Sequence, residues 1–284
     1  MNDEVIYLDH AAATPVDAKV LAAMQPFFSD AFYNPSAPYS PAVKVRREYE
    51  AAKQVIARAI GTKADDLVMT AGATESINLA FSGVSGHVVT SEIEHHAVLA
   101  AAKRHNATFV GADSKGIVSA ESIKKAITPA TQLVSIALAN NELGTIQPLR
   151  DIAEVVRQER ERRLAAGDHT PLYLHSDASQ GVGQLDVNVA RLGVDMLTLN
   201  AAKVYGPKQV GLLWAAPAVV LEATIVGGGQ ERGLRSGTEN VPGVIGFAKA
   251  MELASAHRKF ESDRLHTLRN SLQQKLIDAF PEAV

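Results

Sequence analysis

The stretch "LTLNAAKVYGPKQVGLLW", Leu197 to Trp214, decides the reading of this chain. Two apolar runs flank a short turn, and that turn carries Lys203 with Tyr-Gly-Pro directly behind it. A loop lysine is ordinarily a solvated surface charge. Whether Lys203 is more than that depends on what the rest of the chain brings to the same place.

Working outward, short β-branched runs recur: "LVMTA" (67–71), "HVVTS" (87–91), "TFVGA" (108–112), "QLVSIALA" (132–139), "LYLHS" (172–176) and "MLTLN" (196–200). Between them "ESINLAFSG", "HAVLAAAKRH", "AESIKKAI" and "LRDIAEVVRQERERRLAAG" repeat apolar residues at helical spacing. This alternation predicts an α/β fold with a mostly parallel sheet covered by helices on both faces. Ligands in such sheets bind beyond the carboxyl ends of the strands. From Val244 to Phe280 the pattern changes to one or two long amphipathic helices with no strand after them. The chain therefore divides into a ligand-binding domain over 1–243 and a helical segment over 244–284.

Composition narrows the function. The 284 residues are 46% hydrophobic, enough for a large core, and the formal charge is only -3. No block of like charge is present, which argues against nucleic acid or an anionic membrane as the main partner. No apolar run reaches the roughly 18 residues that span a bilayer. The start, "MNDEVIYLDH", lacks a signal peptide's basic and apolar regions, so a cytoplasmic location is expected. There is no cysteine, which removes disulfides, thiolate metal sites and any cysteine nucleophile supplied by these residues.

Several strand ends carry polar residues. "MTAGATESINLAF" puts Gly72, Ala73 and Thr74 between a strand and a helix, where free N–H groups and the helix dipole favour phosphate. A plain helix start capped by Thr74 is the alternative. The stretch is not a Walker loop, lacking the Gly-Lys-Ser/Thr ending. "LYLHSDASQ" sets Asp177 and Gln180 just past an apolar strand, open to capping, metal binding or pairing with a cation. His175 and the pair His95-His96 show no metal-binding spacing of the HExxH kind, so no metal is expected. His95 opens another strand-to-helix junction, where a lone histidine usually serves as a structural hydrogen-bonder. Together, a loop lysine, a strand-end acid and a phosphate cradle are what pyridoxal 5'-phosphate requires. The 26 residues from Asp177 to Lys203 are enough for one crossover and a strand, returning both to one sheet edge.

The chain then resembles a known family. "YLDHAAATPV", "AGATESINLA", "EHHAVL", "ANNELGTIQP", "HSDASQGVGQLDV", "YGPKQVGLLW" and "GGGQERGLRSGTENVP" follow the order found in cysteine desulfurases. These are class V aminotransferase-like enzymes of fold type I, here of the iron-sulfur-cluster branch. The resemblance implies a mostly parallel seven-stranded sheet flanked by helices, and pyridoxal 5'-phosphate as cofactor. It implies that Lys203 carries the cofactor as an imine and shuttles the alpha proton, with His95 over the ring assisting. Asp177 is implied to pair with the ring nitrogen, Asn141 and Gln180 with the phenolic oxygen, and Ala73, Thr74 and Asn200 with the phosphate. Thr238 is similar to a family residue that reaches a neighbouring subunit's phosphate, which implies a homodimer with shared sites. The implied reaction converts L-cysteine to L-alanine and passes sulfur to an enzyme cysteine, for cluster assembly or tRNA thiolation, with a sulfur-acceptor or scaffold protein as partner.

Three departures qualify this. The family's sulfur-accepting cysteine and substrate-carboxylate arginine lie in a C-terminal small domain, which would fall beyond Val284, so that domain is expected to be largely absent and turnover impaired. Where the family reads Ser-x-His-Lys, this chain reads Asn200-Ala201-Ala202-Lys203. Ala202 lacks an imidazole, and a lost hydrogen bond to a charged group costs on the order of 1.5–3 kcal/mol, so weaker cofactor retention is expected. "NPSAPYSP" carries Tyr39 where a histidine is common, and is expected to cover the active site differently. Two other readings stand beside the desulfurase: another class V enzyme, a lyase or aminotransferase, and an inactive scaffold subunit.

Overall fold

In the computed structural model, which describes residues 5–282, the apolar runs become strands of one sheet. The strands are β1 (Leu67–Thr70), β2 (His87–Ser91), β3 (Ala107–Val110), β4 (Thr131–Ser135), β5 (Tyr173–Asp177), β6 (Met196–Asn200) and β7 (Gly211–Ala215). The helices are α1 (Ala18–Met24), α2 (Pro26–Ser29), α3 (Ser40–Ile60), α4 (Ala73–Ser82), α5 (His96–Ala102), α6 (Ala120–Ala126), α7 (Leu149–Ala165), α8 (Val189–Leu192) and α9 (Val241–Ala279).

The spatial strand order is β1-β7-β6-β5-β4-β2-β3. The pairs β6/β5, β5/β4, β4/β2 and β2/β3 are parallel, because a crossover separates their members in sequence. β7 returns from β6 after the short turn around Lys203, so it runs antiparallel to β6 and likewise to β1. Alternate residues enter opposite layers, as the two-residue period of a strand dictates. Leu197 and Leu199 of β6 join the core formed with α3, α7 and α9, whereas Met196 joins the core of α4 and α5.

Polar ties run beneath the strand ends. The buried His175 ring bonds Ser135 Oγ at 2.8 Å and Thr198 Oγ1 at 2.9 Å, joining β4, β5 and β6. Burial pushes His175 down to about 3, so its ring is neutral and its place is in the sheet.

The C-terminal helical pattern forms one helix, α9, which starts at Val241 rather than at Val244. Asn240 accepts from Gly243 N at 3.1 Å to begin it, and Pro242 lies in its first turn. Val244, Phe247 and Met251 are buried with the core, while Leu268, Leu272 and Leu276 farther along are exposed. Among the described residues no helix is long and apolar enough to cross a membrane.

A buried charge pair fixes the loop that leads into α9. Glu231 accepts from Lys53 Nζ at 3.1 Å and Tyr49 Oη at 2.5 Å in α3, and from Met69 N at 2.8 Å in β1. β1 is an edge strand, so this carboxylate satisfies an outward N–H that no neighbouring strand reaches. Glu231 and Arg232 adopt left-handed backbone, φ 47° and 61°, a conformation that non-glycine residues hold only when surrounding bonds impose it. Both charged side chains are at least nine-tenths buried. Removing one partner of such a pair strands the other, which typically costs about 3–5 kcal/mol. Lys53→Met is therefore expected to destabilise the protein by roughly 3 kcal/mol in urea denaturation, the lower end because Tyr49 and Met69 still serve Glu231.

Candidate active site

The strand ends converge on a cavity of about 470 Å³. Eight of the nine residues assigned from the sequence line it: Ala73 and Thr74 after β1, His95 after β2, Asn141 after β4, Asp177 and Gln180 at β5, and Asn200 and Lys203 after β6. Thr238 does not. It is exposed beside a smaller cavity that also touches Ala71, Glu231 and Arg235.

That turn corrects one expectation. Thr74 does not cap the helix. Gly72 holds the cap position with φ 142°, Thr74 is the second residue of α4, and no side chain bonds the first-turn N–H groups. Those donors are therefore free for an anion, with the helix dipole behind them. β7 packs directly underneath, and a Cβ on Gly211 would stand 2.7 Å from the Gly72 backbone.

His95 is the N-cap of α5, its Nδ1 accepting from Ala97 N at 3.1 Å. Because Nδ1 accepts, the neutral ring carries its proton on Nε2. Asn200 Oδ1 accepts from Ala202 N at 3.1 Å, capping the turn that holds Lys203 and leaving its amide N–H groups free to donate. Asn140 Oδ1 accepts from both Glu142 N and Leu143 N at 2.8 Å, shaping the loop that presents Asn141.

The N-terminal segment crosses the lysine turn. Thr14 N donates to Ala202 O at 3.0 Å, and Tyr205 N donates to Thr14 Oγ1 at 2.8 Å. Lys203 Nζ donates to Ala11 O at 2.6 Å and Ala12 O at 2.8 Å, and Gln180 Nε2 donates to Ala11 O at 2.9 Å. The carbonyls of residues 11 and 12 thus hold the lysine at the cavity wall. Burial lowers the Lys203 ammonium below its ordinary range, opposed by the negative charges of Asp177 and Asp9. Burial raises Asp177, opposed by the bond from Ser179 N at 2.9 Å and by the positive charge of Lys203. Lysine and acid thus feel each other across one cavity.

Tyr39 lies elsewhere. It precedes α3 and stands edge-on to Tyr33, with ring centroids 6.1 Å apart, and it does not line the cavity. No residue of the "NPSAPYSP" segment, 34–41, lines this cavity.

Three carboxyls had no role assigned from the sequence, and one of them, Glu142, lines the cavity beside Asn141. Asp9 lines the cavity from "YLDHAAATPV". Glu94, directly before His95, is buried, bonded by Ser91 Oγ at 2.7 Å and by Ala137 N at 3.1 and 3.0 Å. All three sit inside quoted motifs, but nothing in spacing separates a buried acid from an exposed one. Burial raises Glu94 to about 7, the Asp177 charge adds to the rise, and the Ser91 and Ala137 bonds oppose it. An acid raised on folding binds more protons in the native state, so its contribution to stability falls as pH climbs from its unfolded value toward about 7. Glu94→Gln removes that loss. Relative to the parent protein, the variant is expected to gain on the order of 2 kcal/mol between pH 5 and pH 8, read from denaturation curves at both.

Comparison with known proteins shows the family. The family model for aminotransferase class V matches residues 6–283. Cysteine desulfurase IscS of Clostridium botulinum is 37% identical over 99% of this chain and 71% of its own length. Cysteine desulfurase IscS of Dictyoglomus turgidum is 40% identical over 97% of this chain and 71% of its own. Among solved structures, a NifS-like protein superposes with a TM-score of 0.89 at 34% identity, covering 97% of this chain and 76% of that one. The structure of SspA in complex with cysteine gives a TM-score of 0.81 at 38% identity, covering 87% and 72%. By motif order, sheet topology and these matches, the chain belongs to the class V aminotransferase family.

Proposed function

We propose that this chain carries the cofactor machinery of a cysteine desulfurase, converting L-cysteine to L-alanine with transfer of the sulfur. The observation that carries the reading is Lys203 and Asp177 on one cavity, beside an uncapped helix start. The donor set fits pyridoxal 5'-phosphate, the family's cofactor: an amine for its aldehyde, an acid for its ring nitrogen and free N–H groups for its phosphate. When bound, that group supplies an electron-withdrawing ring next to the substrate's alpha carbon.

The chain's own residues then have distinct tasks. Lys203, less firmly protonated than an exposed lysine, would hold the aldehyde end of the cofactor and would move the proton at the substrate's alpha carbon. To do so it exchanges its bonds to the carbonyls of Ala11 and Ala12. Asp177 would pair with the ring nitrogen and keep it protonated, and that pairing would favour its anionic form against the effect of burial. His95 offers Nε2 to the cavity while Nδ1 stays with α5. Asn141 and Gln180 serve the phenolic oxygen, the latter by releasing Ala11 O. The N–H groups of Ala73 and Thr74 and the amide of Asn200 take the phosphate.

The exposed position of Thr238 outside its own cavity supports a homodimer in which it reaches the neighbouring site. With no cysteine among these residues, any persulfide forms on a thiol outside them, on a partner or another polypeptide segment. We take the setting to be cytoplasmic, and the sulfur to serve iron-sulfur cluster assembly or tRNA thiolation.

Protein incubated with pyridoxal 5'-phosphate is expected to turn yellow. Borohydride reduction and peptide mapping should place the group on Lys203; attachment to another lysine overturns the assignment. Asp177→Asn is expected to slow alanine release from cysteine, with an added thiol as acceptor, by at least ~10-fold, since charged hydrogen bonds are worth about 1.5–3 kcal/mol. A protein that takes up the cofactor at Lys203 but turns over a different amino acid points to another class V enzyme. One that never gains colour points to a scaffold.

A further inference from the structure

We infer that Arg235 is a positioning residue that neutralises Glu75, so that the start of α4 accepts the phosphate of the cofactor; this rests on the cofactor reading above. Glu75 lies in the first turn of α4, directly after Thr74. Its Oε2 accepts from Ala71 N at 2.8 Å, closing the turn that carries Gly72. A carboxylate is welcome at a helix start when the site is empty, because it opposes the dipole. It becomes a liability when a phosphate takes the same N–H groups, since two anions within a few ångströms repel.

Arg235 removes that liability. Its Nε donates to Glu75 Oε1 at 2.9 Å, with both side chains more than three-quarters buried, so solvent screens the pair only in part. Arg235 comes from the loop between β7 and α9, 160 residues away in sequence. That loop is held rigidly enough to deliver it. Glu231 fastens one end to α3 and β1, Ser236 N donates to Ile225 O at 2.9 Å, and Gly237 N donates to Gln230 Oε1 at 2.9 Å. The loop and the cradle meet at a cleft where Thr224 and Ile225 face Gly72 and Thr74. The arginine thus cancels a charge that the turn needs for its shape and the phosphate does not tolerate.

Two ligands isolate this role: pyridoxal 5'-phosphate, and pyridoxal, which has the same ring and aldehyde without the phosphate. Binding of each is titrated by absorbance to the parent protein, Arg235→Met, Glu75→Gln and the double variant. Arg235→Met is expected to weaken the phosphorylated ligand about tenfold and leave pyridoxal within about twofold, as an unscreened charge beside an anion requires. The double variant, which also removes the carboxylate left unpaired, is expected to recover to within about threefold of the parent. Should Arg235→Met not accumulate folded, Arg235→Gln, which keeps a donor but no charge, replaces it in both the single and the double variant. Equal loss of both ligands, or no recovery in the double variant, overturns the proposal and leaves Arg235 a purely structural residue. A parent protein that takes up neither ligand at Lys203 overturns the cofactor reading itself, and this inference with it.

Discussion

The site rests on one electrostatic constraint: a lysine and an acid facing the same partly desolvated cavity. Burial alone would discharge both, pushing Lys203 toward the neutral amine and Asp177 toward the neutral acid. Each charge works against that for the other. The balance leaves an amine easier to deprotonate than a solvated one, beside an acid that a ring cation can hold ionised. Proton transfer and electron withdrawal need these two states together.

The fold supplies the constraint through its one break in parallel order. The parallel strands β2, β4, β5 and β6 send their carboxyl ends to the same edge, which gathers His95, Asn141, Asp177 and Asn200. β7 turns back at once, so Lys203 sits on a short turn rather than a long crossover. The segment from Ala11 to Thr14 then crosses this turn, and its carbonyls receive the lysine before any ligand does. The ammonium is thereby satisfied by backbone dipoles, which carry no net charge and can be exchanged without stranding an ion.

A second set of charges holds the phosphate side. The left-handed residues Glu231 and Arg232 place a carboxylate at the free edge of β1, where three donors converge on it. The same loop carries Arg235 to Glu75 and Thr238 to the surface beyond. Cradle and loop are therefore one mechanical unit, although the sequence places a whole sheet between them.

The order of strands and helices was legible because burial on both faces of a parallel strand leaves a run of apolar residues, and a helix leaves a 3.6-residue repeat. The motifs at their ends showed which residues meet at the sheet edge, from Ala73 to Lys203. Local chemistry was less legible: Thr74 looks like a cap in sequence, yet Gly72 takes that position because only glycine readily holds φ 142° there. Glu94 and Asp9 were visible as letters without a role, since desolvation is a property of what surrounds a side chain. The sequence by itself determined the kind of fold and the chemistry available at its strand ends, because those follow from periodicity and residue type along the chain. Only the tertiary structure decided the bond from Lys203 to Ala11, 192 residues away, and the pairing of Arg235 with Glu75, because no local pattern encodes which distant backbone or charge will lie beside another.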